Sequence, residues 1–152
     1  MKGIVITSGF FNPIHSGHLN LFREAKALGD FLVVIVNNDE QVKVKGSAPF
    51  MSETERMAII QDLKHVDAVF LSIDKLGSVA ESLRAVAQKY LPVDRQVQVE
   101  LFFAKGGDRN SGNIPEEETK ACQEFNIKVI NGVGGGKVQS SSWLLNNIKQ
   151  SS

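Results

Sequence analysis

Hydrophobic positions follow two alternating patterns along the chain. Short uninterrupted runs rich in β-branched residues alternate with longer stretches in which apolar residues recur every three or four positions. Residues 31–36 are apolar throughout, which is typical of a strand covered on both faces. Leu19, Phe22 and Ala25 share one face of the stretch 16–28, which predicts a helix that Gly29 ends.

The same patterns predict a single α/β domain over residues 1–152. The predicted strands are residues 4–6, 31–36, 66–71, 97–104 and 127–130. The predicted helices are residues 16–28, 52–63, 79–90, one that begins at Pro115, and 140–149, and residues 37–51 are predicted to be a polar loop. Because strands and helices alternate without tight hairpin turns, we expect a Rossmann-like parallel five-stranded sheet with helices on both faces. Loops after strands one, two and four would then meet at the carboxyl edge of the sheet.

Composition narrows the classes of partner. The chain has 152 residues, of which 42% are hydrophobic and 22% charged, with 17 basic and 17 acidic residues and a formal net charge of zero. This balance favours neither nucleic acid nor a membrane as partner, although a local basic pocket remains compatible with it. The single cysteine, Cys122, cannot form an internal disulfide. The N-terminal apolar run is too short for a signal peptide, so a cytoplasmic location is expected.

The loop from Gly9 to His18 carries the most distinctive chemistry. His15 and His18 are three residues apart at the start of a predicted helix, so they lie on neighbouring positions of one face. Unpaired backbone N–H groups and the positive helix end favour an anion there. Two imidazoles at that end could donate hydrogen bonds to a phosphate and to charge that develops on it.

Three other interpretations of this pair stay open on the residues alone. The histidines could bind zinc, although only His65 and Cys122 could add a soft ligand. They could be surface residues that cap the helix, or Gly17 could serve close packing of helix on strand. A short motif does not decide among these interpretations.

The decamer Gly-Phe-Phe-Asn-Pro-Ile-His-Ser-Gly-His at residues 9–18, between a strand and a helix, resembles the HxGH signature of the cytidylyltransferase-like nucleotidyltransferases. This superfamily includes glycerol-3-phosphate cytidylyltransferase, heptose-phosphate adenylyltransferase, and the phosphopantetheine and nicotinate-mononucleotide adenylyltransferases. Further matches follow in order at strand ends and helix starts: Leu28-Gly29-Asp30, Val44-Lys45-Gly46, Glu55-Arg56, Lys105-Gly106-Gly107-Asp108 and Gln139-Ser140-Ser141-Ser142. The resemblance implies strand order 3-2-1-4-5, with a crevice between strands one and four.

The resemblance also implies a role for each matched residue. His15 and His18 would stabilise the transition state at the α-phosphate, and Lys45 and Arg56 would neutralise the attacking and leaving phosphates. Ser141 and Ser142 would hold the leaving pyrophosphate. Mg²⁺ would bridge triphosphate oxygens, with few dedicated protein ligands and no metal-binding residue assigned. The implied nucleotide-binding residues are Gly9, Phe10, Phe11, Gly17, Gly106, Gly107, Asp108, Ser140, Ser141 and Ser142.

Several of these residues have a plainer interpretation. Lys45 could be a solvated lysine like the neighbouring Lys43, and Arg56 could form a surface salt bridge. Asp108 could hold its own turn, and one of the three serines could act as an N-cap.

The predicted reaction is transfer of CMP or AMP from CTP or ATP to a polyol or sugar phosphate, with release of pyrophosphate. The Lys-Gly-Gly-Asp motif favours that acceptor class, whereas Asn12-Pro13 favours an adenylyltransferase acting on a cofactor precursor such as a flavin or pantetheine phosphate. A non-catalytic nucleotide sensor is the third alternative, although a sensor is expected to have lost part of the motif set. The resemblance further implies a homodimer.

Overall fold

The computed structural model describes residues 2–91, 96–106 and 114–134. Its strands are β1 (Lys2–Gly9), β2 (Phe31–Val36), β3 (Ala68–Leu71), β4 (Val99–Gly106) and β5 (Ile127–Val133). Its helices are α1 (Ser16–Ala27), α2 (Asp39–Val44), α3 (Glu53–Gln61), α4 (Ala80–Tyr90) and α5 (Glu116–Glu124). All pairings are parallel and the order is β3-β2-β1-β4-β5, so the predicted sheet and strand order are confirmed.

Helices cover both faces because alternate residues of each buried strand point to opposite sides. Val33 and Ile35 of β2 belong to a core that includes Leu83 and Val86 of α4 and also residues of α5. Leu32, Val34 and Val36 belong to a second core, which includes residues of α1 and α3. The two cores hold the sheet between two helical layers.

Helix α2 was not predicted, because its six residues lie within the segment expected to be a polar loop. Its sequence has only one buried apolar residue, Val42, so no periodicity is visible. The overlooked signal is the spacing of Asn38 and Gln41, which cap each other's backbone at the helix start. The predicted helix at residues 140–149 lies outside the described residues.

The sheet opens between β1 and β4 at its carboxyl edge. Pairing of β1 with β2 continues to Gly9, whereas pairing of β1 with β4 ends at Ile6 and Phe103. Beyond that point the buried hydroxyl of Thr7 donates to the carbonyl of Ala104 at 2.8 Å. The opening is the crevice expected where the strand order reverses. Within the described ranges, no helix is long and apolar enough to cross a membrane.

Candidate active site

His15 and His18 cap the N-terminus of α1 reciprocally. Nδ1 of His15 accepts from the backbone N–H of Gly17, and Nδ1 of His18 accepts from the backbone N–H of His15, both at 3.1 Å. The two rings stack with their centroids 3.8 Å apart. Capping, one of the alternatives that the sequence left open, is therefore a property of the pair.

The capping bonds decide which ring nitrogen carries the proton. Because Nδ1 accepts a hydrogen bond in both rings, the proton of each neutral imidazole resides on Nε2. Burial, followed by the proximity of His15, lowers the pKa of His18 from 6.5 to about 3. At neutral pH, His18 is therefore an uncharged side chain that presents an Nε2–H donor.

Capping alone does not require histidine. At the start of α2, Asn38 Oδ1 accepts from the Gln41 N–H at 2.9 Å, and Gln41 Oε1 accepts from the Asn38 N–H at 3.1 Å. Amide side chains thus make the same reciprocal cap elsewhere in this chain, and small polar residues are the usual N-caps of proteins. The imidazoles of α1 add donors that the cap itself does not need.

Phe11 supports His18 from the protein interior. Its side chain is 1% exposed and meets the His18 ring edge-to-face, with centroids 4.8 Å apart. Phe11 has a positive φ of 51°, and a Cβ added to Gly9 would lie 2.7 Å from its ring. Gly9 is therefore needed for close approach of that ring, and the supporting role of Phe11 was not predicted.

Lys45 and Lys43 differ in their surroundings, although the sequence could not separate them. Nζ of Lys45 lies 4.4 Å from the centroid of the Phe10 ring, which belongs to the loop that leads to the histidines. Nζ of Lys43 pairs with Glu40 on the surface at 3.5 Å. Residues 37–51 were predicted to be a polar loop, and this was wrong for residues 39–44, which form α2; Lys45 follows that helix directly as its C-cap residue.

Arg56 has protein partners that the sequence did not predict. Its side chain is fully buried and its Nη2 pairs with Asp39 Oδ1 at 2.7 Å. Nη1 donates to the carbonyls of Phe10 at 2.8 Å and of Asn37 at 2.5 Å, and Nε donates to Met51 at 3.0 Å. The alternative of a salt bridge is therefore realised, although its arginine is buried and not on the surface, and the contact with a substrate phosphate stays a prediction.

Asn12 organises the segment that follows α2. Its amide nitrogen donates to the carbonyl of Ala48 at 2.9 Å, and its oxygen accepts from the Met51 N–H at 3.0 Å. The side chain is buried, with 4% of the residue exposed. An asparagine directly before a proline in a turn was the available signal for such a backbone-holding role.

On the other side of the crevice, the end of β4 lies against α1 and α5. A Cβ added to Gly106 would contact Leu21 of α1 at 3.4 Å, and Lys105 Nζ lies 3.5 Å from the buried Glu118. Glu118 also accepts from the Val79 N–H at 3.0 Å. The remaining predicted site residues, Gly107, Asp108, Ser140, Ser141 and Ser142, lie outside the described residues.

The structure brings part of the predicted site together. Contacts link His15 with His18 and Phe10 with Lys45, while Phe11 lies under His18. The predicted nucleotide contacts of Gly9, Phe10, Phe11, Gly17 and Gly106 stay predictions. In residues 2–91, 96–106 and 114–134, no group of three or more His, Cys, Asp or Glu side chains is placed to hold a metal ion.

A family model described as cytidylyltransferase-like matches residues 6–133. The chain belongs to the cytidylyltransferase-like family. This family member is 41% identical over 87 residues to the bifunctional protein HldE of Desulfatibacillum aliphaticivorans. It is also 40% identical over 67 residues to the FAD synthase of Thermoplasma acidophilum, and 46% identical over 71 residues to that of Ferroglobus placidus.

Two solved structures share this fold. A lipopolysaccharide core biosynthesis protein from Thermoplasma volcanium is 26% identical, with a TM-score of 0.64 over 86% of this chain and 96% of that one. A bifunctional NMN adenylyltransferase/ADP ribose pyrophosphatase from Francisella tularensis shares the fold over 100% of this chain, with a TM-score of 0.68, 16% identity and 43% of that chain covered.

The matches to curated relatives are partial. The match to HldE covers 56% of this chain and 17% of HldE. The matches to the FAD synthases of Thermoplasma acidophilum and Ferroglobus placidus cover 44% and 47% of this chain. The chain spans about half the length of those FAD synthases, at 47% and 45%.

Proposed function

We propose that this chain is a nucleotidyltransferase that moves a nucleoside monophosphate from a nucleoside triphosphate to the phosphate of a small molecule. An acceptor phosphate oxygen attacks the α-phosphorus, and the bond from that phosphorus to the bridging oxygen breaks as pyrophosphate leaves. The observation that carries the proposal is the locked pair of Nε2–H donors on His15 and His18 at a helix N-terminus.

These donors suit a transition state in which negative charge moves onto the oxygens around the α-phosphorus. The helix N-terminus adds a partial positive charge, and the reciprocal cap holds both rings before substrate binds. Because His18 is uncharged, it acts as a hydrogen-bond donor and not as a source of a proton. Loss of one such preorganised donor costs on the order of 10²–10³ in turnover.

Lys45 supplies a mobile positive charge for the phosphates of the triphosphate. Its ammonium is exposed at the end of α2 and lies over Phe10, and among the described residues it forms no ion pair with a carboxylate, so it can move onto a bound phosphate. Mg²⁺, if it accompanies the triphosphate, would supply further positive charge to the phosphates. We retain Ser141 and Ser142 as proposed holders of the leaving pyrophosphate.

We propose ATP over CTP, and a flavin phosphate as the favoured acceptor. FAD is FMN joined to AMP, and two FAD synthases are among the relatives. Asn12-Pro13 favours the same class of acceptor, a cofactor precursor. A polyol or sugar phosphate with CTP stays the second candidate, because of the Lys-Gly-Gly-Asp motif.

The proposal is tested by pyrophosphate release, measured for each of the four nucleoside triphosphates. The acceptor panel contains FMN, phosphopantetheine, and glycerol, heptose, choline and ethanolamine phosphates. We expect pyrophosphate to equal the acceptor consumed, with ATP and FMN as the best pair. Nucleotide binding without pyrophosphate release across the whole panel would support the sensor alternative instead. The homodimer and the cytoplasmic location stay predictions.

A further inference from the structure

The guanidinium of Arg56 connects two segments that meet again at Lys45. Its Nη1 holds the carbonyl of Phe10, and its Nη2 holds the carboxylate of Asp39, the first residue of α2. Helix α2 ends at Val44, and the ammonium of Lys45, its C-cap residue, lies over the ring of Phe10. Phe10, Arg56, helix α2 and Lys45 are therefore linked in a closed ring of contacts that includes the buried guanidinium.

We propose that Arg56 is a positioning residue, which acts by fixing helix α2 against the Phe10 backbone so that Lys45 faces the histidine loop. This inference rests on the proposed function for the role of Lys45. Arg56 then affects the position of Lys45 through its contact with Asp39.

The short length of α2 makes the contact between Asp39 and Arg56 important. A six-residue helix is not stable by itself, so its direction depends on its anchors. Asn38 and Gln41 tie it to the loop after β3. Asp39 ties it to Arg56, and so to Phe10. A guanidinium suits this junction because its rigid planar fork holds donors on three separate nitrogens, whereas the three donors of an ammonium radiate from a single atom.

Substitution of Asp39 removes the contact between Arg56 and α2 with little other change. Its backbone N–H is held separately by Glu53 at 2.9 Å, so Asp39→Ala removes the carboxylate link and leaves the helix start bonded. Glu40→Ala is the matched control, because it removes an equal charge from the same first turn but acts on Lys43, not on Arg56. Both variants are first checked for an unfolding transition like that of the wild type.

The position of Lys45 can be measured without any activity. After reductive dimethylation with ¹³C, the methyl signal of Lys45 is assigned by its absence in Lys45→Arg. We expect the Phe10 ring to shift this signal upfield in the wild type and in Glu40→Ala, and the shift to disappear in Asp39→Ala and Arg56→Lys. A Lys45 signal that keeps its position in Asp39→Ala would overturn the proposal.

A kinetic cycle then separates this proposal from the proposed function. If Arg56 and Asp39 act through Lys45, Asp39→Ala lowers kcat/KM about tenfold in the wild type but less than about threefold in Lys45→Ala. An equal loss of kcat/KM on Asp39→Ala in the wild type and in Lys45→Ala would overturn the positioning role. Absence of pyrophosphate release from the wild type would refute the proposed function, and the methyl signal would still decide the positioning.

Discussion

His18 makes the protein sensitive to mild acid, and this sensitivity can be calculated from its environment. The unfolded chain takes up a proton at His18 near the ordinary pKa of 6.5, whereas burial beside His15 lowers the pKa of the folded state to about 3. Between these values the unfolded state binds more protons than the folded state. Stability therefore falls as the pH drops from 6.5 toward 3, and His18 contributes no pH dependence above that window.

The magnitude follows from proton linkage. At about pH 5, protonation of the unfolded chain alone favours unfolding by about 2 kcal/mol, since each unit of pKa difference traversed contributes about 1.4 kcal/mol. Carboxylates add their own pH dependence in the same range, so the wild type by itself does not isolate His18. His18→Gln supplies the reference, because Gln41 shows that glutamine makes the same cap at the equivalent position of α2.

The assay is urea unfolding of both proteins across this pH range. We expect the wild type to lose about 2 kcal/mol more than His18→Gln between about pH 7.5 and 5. Nitrogen chemical shifts of the imidazoles, read at neutral pH, should show His18 protonated on Nε2. Parallel pH curves for the two proteins, or an Nδ1–H tautomer of His18, would refute the proposed locking of this ring.

Two further predictions concern the supports of the site. Gly9→Ala places a methyl group 2.7 Å from the Phe11 ring, so we expect a loss of about 1–3 kcal/mol in urea unfolding together with lower turnover. Gly77→Ala, whose added Cβ meets nothing within 4 Å, is the control, and equal losses in the two variants would contradict this reasoning. Lys45→Ala should raise the KM for the triphosphate roughly tenfold or more in steady-state kinetics, while Lys43→Ala leaves it near the wild-type value. A similar rise in both lysine variants would show that general charge, and not position, is responsible.

The layered fold was predictable because its elements carry strong patterns. Residues 31–36 are apolar throughout and occupy the second-from-edge strand β2, and alternating strands and helices leave few topologies once parallel crossovers are required. The strand order itself followed from the family resemblance. Strand β4 was predicted at residues 97–104 but lies at Val99–Gly106. Its end was missed because Lys105 and Gly106 do not resemble strand residues.

The site was less predictable because its contacts join residues that are far apart in sequence. Nothing near Arg56 indicates that its guanidinium reaches the carbonyl of Phe10, 46 positions earlier. The difference between Lys43 and Lys45 likewise depends on the short helix α2, which has no hydrophobic period to reveal it. The histidines were visible in sequence, but only their capping geometry shows which ring nitrogen carries the proton.

The most direct test of this account is the double variant His15→Asn/His18→Gln. It transfers to α1 the cap that Asn38 and Gln41 form at α2, so the helix start stays satisfied while both imidazoles are removed. Pyrophosphate release and urea unfolding are measured on the same preparation. We expect unfolding within about 1 kcal/mol of the wild type and turnover lower by a factor of at least about 10². A variant that keeps its turnover would show that the histidines serve only as helix caps.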